Sequence, residues 1–65
     1  MSKRQQRKDL LTLAEWSERM SRHTTVLATE ADTRQRQRAL HFRAKRHAQI
    51  ATVLRAQLSE DARHE

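Results

Sequence analysis

Cysteine is absent from the chain, which excludes disulfides and thiolate metal sites and fits a reducing, cytoplasmic location. Glycine and proline are absent too, so the commonest punctuation of turns is missing. Aromatic residues are down to one Trp and one Phe, with no Tyr. An all-β core, which draws on aromatic and β-branched side chains, is therefore not expected. No apolar run approaches the length of a membrane span. Met1-Ser2-Lys3-Arg4 leads into further polar residues rather than an apolar stretch, unlike a signal peptide. From Arg34 to Leu58 there is no acidic residue at all.

What is present is helix-forming: Ala, Leu, Arg, Gln and Glu dominate. Leu13, Trp16, Met20, His23 and Leu27 recur at spacings of 3, 4, 3 and 4. Leu40, Ala44, His47, Ala51, Leu54 and Leu58 recur at 4, 3, 4, 3 and 4. Both rows are heptad seams, the pattern of helices packed lengthwise. The rows are out of phase by one residue, a slip that a single long helix would have to absorb. Folded back near Thr33-Arg34, they match layer by layer, Leu13 with Leu54, Trp16 with Ala51 and Leu27 with Leu40. The spacing thus predicts an all-α chain of 65 residues, one domain built as an antiparallel helical hairpin. Its parts are a frayed basic tail over 1–9, helices over 12–31 and 33–59, and a frayed end over 60–65. Thr12 and Glu15 have capping-box spacing for the first helix, and Asp32 is placed to cap the second. Two helices cannot enclose a core, so dimerisation into a four-helix bundle is expected.

The formal net charge is +6, and Arg supplies all but three of the 14 basic residues. Arg holds phosphate or carboxylate through paired hydrogen bonds, which points to an acidic partner. The charge is concentrated in the second half. Arg34, Arg38, His41 and Lys45, spaced 4, 3 and 4, form one stripe on a helix away from the seam. Arg43 and Arg46 flank the apolar side, with Arg36 near it. These seven residues are the candidate nucleic-acid contacts, acting on the phosphate backbone. With Phe42 the one aromatic near the stripe, base stacking is not expected. The candidate oligomer or partner interface is Leu13, Trp16, Met20, Leu27, Leu40, Ala44, His47, Ala51, Leu54 and Leu58.

No enzyme constellation is present: no Gly-rich phosphate loop, no Cys nucleophile, no paired carboxylates in an apolar setting. No cofactor is expected. His23 and His47 fall on the seams but lack metal-ligand spacing, so a hydrogen-bonding role in the core is expected and no metal. His41 and His64 read as surface residues. The reading is a small basic, non-catalytic, homo-oligomeric nucleic-acid-binding protein. The alternative is a helical-hairpin adaptor, chaperone or inhibitor that lends its apolar stripe to a partner with an acidic surface. Leu11, Val26, Phe42 and Val53, off the seams, would then form a second apolar surface.

Two resemblances attach to particular features. In length and layout the chain resembles the plasmid-encoded Rop family of small helical hairpins, without a motif that aligns residue by residue. Leu11-Thr12-Leu13-Ala14-Glu15-Trp16, with Arg19 after it, resembles the opening of some phage excisionases. Ser21-Arg22-His23-Thr24-Thr25-Val26 is similar to the start of a helix-turn-helix recognition helix. That second resemblance implies a turn before Ser21 and DNA recognition through the following residues.

Overall fold

The computed structural model describes residues 2–63 and holds two helices, α1 (Lys3–Thr29) and α2 (Arg34–Arg63), packed along their length as an antiparallel hairpin. The expected fold class is the one observed. The helices are longer than expected. Ser2 caps α1, its Oγ accepting from the Gln5 amide at 3.2 Å. The Gln5 side chain then donates to Asp9 one turn on, so 3–9 is helix where a frayed tail was expected. The capping box at Thr12 does not form. Thr12 lies inside the helix, and its hydroxyl donates back to the Lys8 carbonyl. At the other end α2 continues to Arg63, past the expected stop at 59, while 64–65, with His64, lie outside the described residues.

The fold-back is made without glycine. Helices commonly end on a residue in the left-handed region, which favours Gly. Among the described residues none has positive φ. Glu30 stays right-handed at φ −91°, ψ −1°, and its amide is held by the Val26 and Ala28 carbonyls. The Ala31 amide also bonds the Ala28 carbonyl, tightening the last turn. Thr33, rather than Asp32, caps α2, accepting from the Arg36 amide at 3.2 Å. A four-residue connection of ordinary backbone conformations is thus enough to reverse the chain.

The seam of α2 is the expected one. Leu40, Ala44, His47, Ala51, Leu54 and Leu58 are its buried or half-buried residues, extended by Gln37 and Asp61. The seam of α1 differs. Its buried residues are Ala14, Ser17, Thr24 and Ala28, continued by half-buried Leu10, Ser21 and Ala31. This row sits one residue C-terminal to the expected Leu13, Trp16, Met20, His23 and Leu27. Leu13 and Trp16 are 45% and 47% exposed, and His23 is exposed as well. A one-residue shift turns a helix by about 100°, so the bulky row lies beside the seam, not in it. The reason is close approach. Small side chains on both helices let the backbones come together, so that the Ser21 hydroxyl reaches across to the Ala44 main-chain carbonyl at 3.0 Å. Leu, Trp and Met at the same positions would hold the helices apart. The α1 row also disposes of the helix-turn-helix likeness: Ser21–Val26 lies mid-helix, with no turn before it.

Candidate nucleic-acid interface and the apolar face

Two contacts fix which side of the hairpin is which. On one side the Trp16 and His47 rings meet edge to face, centroids 5.5 Å apart. On the other, Arg55 of α2 donates to both Glu18 oxygens of α1, at 2.9 and 3.3 Å. This bidentate bridge lowers the Glu18 pKa, first through the hydrogen bond itself and then, against some desolvation, through the Arg55 and Arg22 charges. The Arg55 guanidinium in turn holds its proton more firmly, mainly through the same bond.

Helical geometry then places the candidate basic residues. Arg34, Arg38, His41 and Lys45 lie along the outer surface of α2, toward the Glu18–Arg55 side. Arg34 and Lys45 are 11 steps apart, about 16 Å of helix at 1.5 Å per residue. Arg36 and Arg43 lie on the opposite edge, toward Trp16 and His47, and Arg46 lies between them on the back of α2. All seven side chains are exposed, and among the described residues none is held by an acid. The structure therefore brings four of the seven into one stripe and separates the other three from it. Sequence reasoning missed Arg22, which with Glu18 and Arg55 edges a hollow lined also by Ser21, Ala48, Ala51 and Thr52. Its i,i+4 spacing to Glu18 would allow a bridge along α1, whereas Glu18 bonds Arg55 across the hairpin. The spacing of Arg4 and Lys8, now helical, puts them on the same side.

The expected interface residues also divide. Ala44 and Ala51 are buried inside the hairpin, with Leu40, His47, Leu54 and Leu58 half-buried. The α1 members form instead a row on the Trp16–His47 side. Leu13, Trp16 and Leu27 are exposed and Met20 half-buried; Ile50 of α2, 43% exposed, faces the same way. Near the connection, Leu27 and Leu40 floor a hollow of about 260 Å³ edged by Glu30, Asp32 and Arg36. The expected second apolar surface does not assemble. Leu11 and Val26 lie on α1, Phe42 and Val53 on the back of α2, and each pair is turned away from the other.

The core role expected of the histidines is corrected in part. His23 is exposed. His47 is half-buried against Trp16, but its buried Nδ1 has no hydrogen-bond partner among the described residues, and the same holds for the buried Ser17 hydroxyl. Among the described residues no three His, Cys, Asp or Glu side chains stand close enough to hold a metal ion. No helix among them is long and apolar enough to cross a membrane. Set against protein families, characterised proteins and solved structures, the chain matches none of them.

Proposed function

We propose that the chain is a non-catalytic nucleic-acid-binding hairpin that contacts the phosphate backbone through the outer face of α2. The observation that carries this reading is the row Arg34, Arg38, His41 and Lys45, exposed along one helix with no acid engaged to it among the described residues. A basic face that serves only to keep a bundle dispersed is usually interleaved with acids. Here the acids stand elsewhere: Glu18 is taken up by Arg55, and Glu30 and Asp32 sit at the connection. A strand of duplex rises about 3.4 Å per phosphate, so about 16 Å of helix parallels roughly five phosphates. Contacts of this kind give affinity with little base readout.

The test is a binding titration against duplex DNA and structured RNA at several salt concentrations. The Arg34→Gln, Arg38→Gln, Lys45→Gln triple variant changes exposed residues only, so its helicity should match the wild type. Its salt slope should fall by nearly three units, about 0.9 per lost phosphate contact. Wild-type binding that is weak to both nucleic acids, or a triple variant that binds as well as wild type, overturns the reading.

A second reading is supported by a different observation, the exposure of Leu13, Trp16, Leu27 and Ile50 on one side. Exposed apolar residues gathered on one face mark an interaction surface. In that reading the hairpin lends this face to other helices, either a second copy or a partner protein.

A further inference from the structure

We infer that the phosphate-binding row does not end at Lys45 but continues along the same face of α2 to Arg55, with Arg22 of α1 beside it, and that the Glu18 carboxylate occupies this second stretch until a backbone phosphate displaces it. The inference rests on the phosphate-binding reading above and adds a site to it, and the two fail separately.

Helical spacing sets the continuation. Beyond Lys45 the heptad steps go on, now 3, 4 and 3, through Ala48 and Thr52 to Arg55, all on one face of α2. From Arg34 to Arg55 is 21 steps, about 32 Å at 1.5 Å per residue, twice the length of the row as far as Lys45. The two uncharged positions of α2 are met by a cation of the other helix. Arg22 of α1 edges the hollow that Ala48 and Thr52 line with Glu18, Ser21 and Arg55.

That hollow has room between its cations. Its other walls are the small side chains Ser21, Ala48, Ala51 and Thr52. Both hydroxyls are turned to main-chain carbonyls, Ser21 to Ala44 and Thr52 to Ala48, each at 3.0 Å. An oxyanion can therefore approach the two guanidiniums, and one already does. The Glu18 carboxylate accepts from Arg55 at 2.9 and 3.3 Å. The Arg55 bond first, then the Arg55 and Arg22 charges, hold that carboxyl below the ordinary glutamate range, so both cations act on one anion. The paired hydrogen bonds that hold a carboxylate suit a phosphate as well.

The occupant is exchangeable. Arg55 and Glu18 are 47% and 38% exposed, and a bridge so open to water contributes little. Arg22 makes no ion pair of its own among the described residues. A phosphate of a strand already lying on Arg34, Arg38 and Lys45 arrives at the hollow at high effective concentration. A free phosphate has no such advantage over the tethered Glu18. The ligand selected is therefore a nucleic-acid backbone and not a small anion.

The test is a salt-dependent titration of the full chain against duplex DNA, with helicity followed for each variant. Arg22→Gln and Arg55→Gln should each lower the salt slope by about 0.9. Arg55→Lys should restore it, since the charge that releases the counterion is kept. Arg22→Gln leaves the Glu18–Arg55 bridge whole, so it reads the hollow without disturbing the tie between the helices. Glu18→Gln should bind about two- to fivefold more tightly than Asp9→Asn, the increment that an exposed bridge is worth. Asp9 is the matched control, seven residues before Trp16 and so on the other side of α1. If the bridge only ties the helices, Glu18→Gln binds no better than Asp9→Asn, and the proposal is overturned. Unchanged slopes in Arg22→Gln and Arg55→Gln, beside a loss of nearly three units in the Arg34, Arg38, Lys45 triple variant, overturn the added site and keep the row. A triple variant with no loss overturns the row and the added site with it. Inorganic phosphate should compete no better than chloride at equal ionic strength; saturable competition would mark a small-anion pocket and overturn the proposal.

Discussion

Individual residues in this hairpin are valued by which side of a helix they occupy. Ser17 stands in the seam at 1% exposure, and its hydroxyl has no partner among the described residues. Ser21, one turn on, satisfies its hydroxyl on the Ala44 carbonyl. The two serines should therefore respond oppositely to truncation. Ser17→Ala removes an unsatisfied buried group and improves helix propensity, and should raise the unfolding free energy by about 1 kcal/mol in urea titrations. Ser21→Ala should lower it by a similar amount, about 1 kcal/mol. The Glu18–Arg55 bridge acts through pH instead. The Glu18 pKa is depressed in the folded hairpin by the Arg55 hydrogen bond. The bridge's contribution is therefore present above the ordinary glutamate range and is lost as pH falls through the lowered value. Thermal unfolding followed from neutral pH into that range should show a Glu18→Gln variant losing less stability than wild type. Equal acid sensitivity in the two proteins would remove the bridge from the account. The effect is small, because both partners are substantially exposed to water.

At the scale of the element, α1 carries two complete rows at heptad spacing. One is bulky, Leu13, Trp16, Met20, His23 and Leu27; the other is small, Ala14, Ser17, Ser21, Thr24 and Ala28. They lie about 100° apart on the helix, and the choice between them sets which side chains face outward. The hairpin uses the small row, matched to Ala44 and Ala51 on α2. Ala28, with no exposed surface, tests this choice. Ala28→Leu should overpack the seam and cost about 1–3 kcal/mol in chemical unfolding. If the bulky row occupied the seam, position 28 would stand at its margin and a leucine there would be neutral or stabilising. α2 has no such ambiguity: Leu40, Ala44, His47, Ala51, Leu54 and Leu58 form one row at its facing positions, while Ile50 and Val53 line a hollow beside it with Leu54 and Phe42 stands exposed on the back.

The whole molecule is two-sided. One side is polar and bridged by Glu18–Arg55, and the other is apolar and centred on Trp16 and His47. The basic row of α2, Arg34, Arg38, His41 and Lys45, runs beside the Glu18–Arg55 side, so any helix packed on the apolar side would leave it open. Polyanion binding and cover of the apolar face are therefore compatible, and each is tested by residues that take no part in the other. The salt-slope measurement reads the basic row; mass and Trp16 emission read the apolar face. Substitution of Leu13 and Ile50 that lowered the salt slope would show that phosphate binding depends on what packs on the apolar face, as it would if two basic rows acted at once. A slope that survived would place all the phosphate contacts within one hairpin.

Helix content, the reversal of the chain near Thr33 and the α2 seam were legible in the sequence, because each rests on local rules. Ala, Leu, Arg and Gln favour helix, absent glycine and proline leave few breaks, and the main apolar row of α2 names its buried face. The concentration of positive charge from Arg34 to Leu58, with no acid in that stretch, was legible for the same reason, since it needs no knowledge of packing. The start of α1 was misread because Thr12–Glu15 has a cap's spacing, while the weaker pattern Ser2–Gln5 proved to hold the helix end. The seam of α1 was decided only by tertiary structure. Hydrophobicity ranks Leu13, Trp16 and Met20 above Ala14, Ser17 and Ser21, and a pattern read from one helix follows that ranking. Close packing of two helices selects for small volume where the backbones meet, a condition on the pair that neither segment expresses alone. That is why Glu18 pairs with Arg55 rather than along its own helix, and why the bulkiest side chains of α1 face outward.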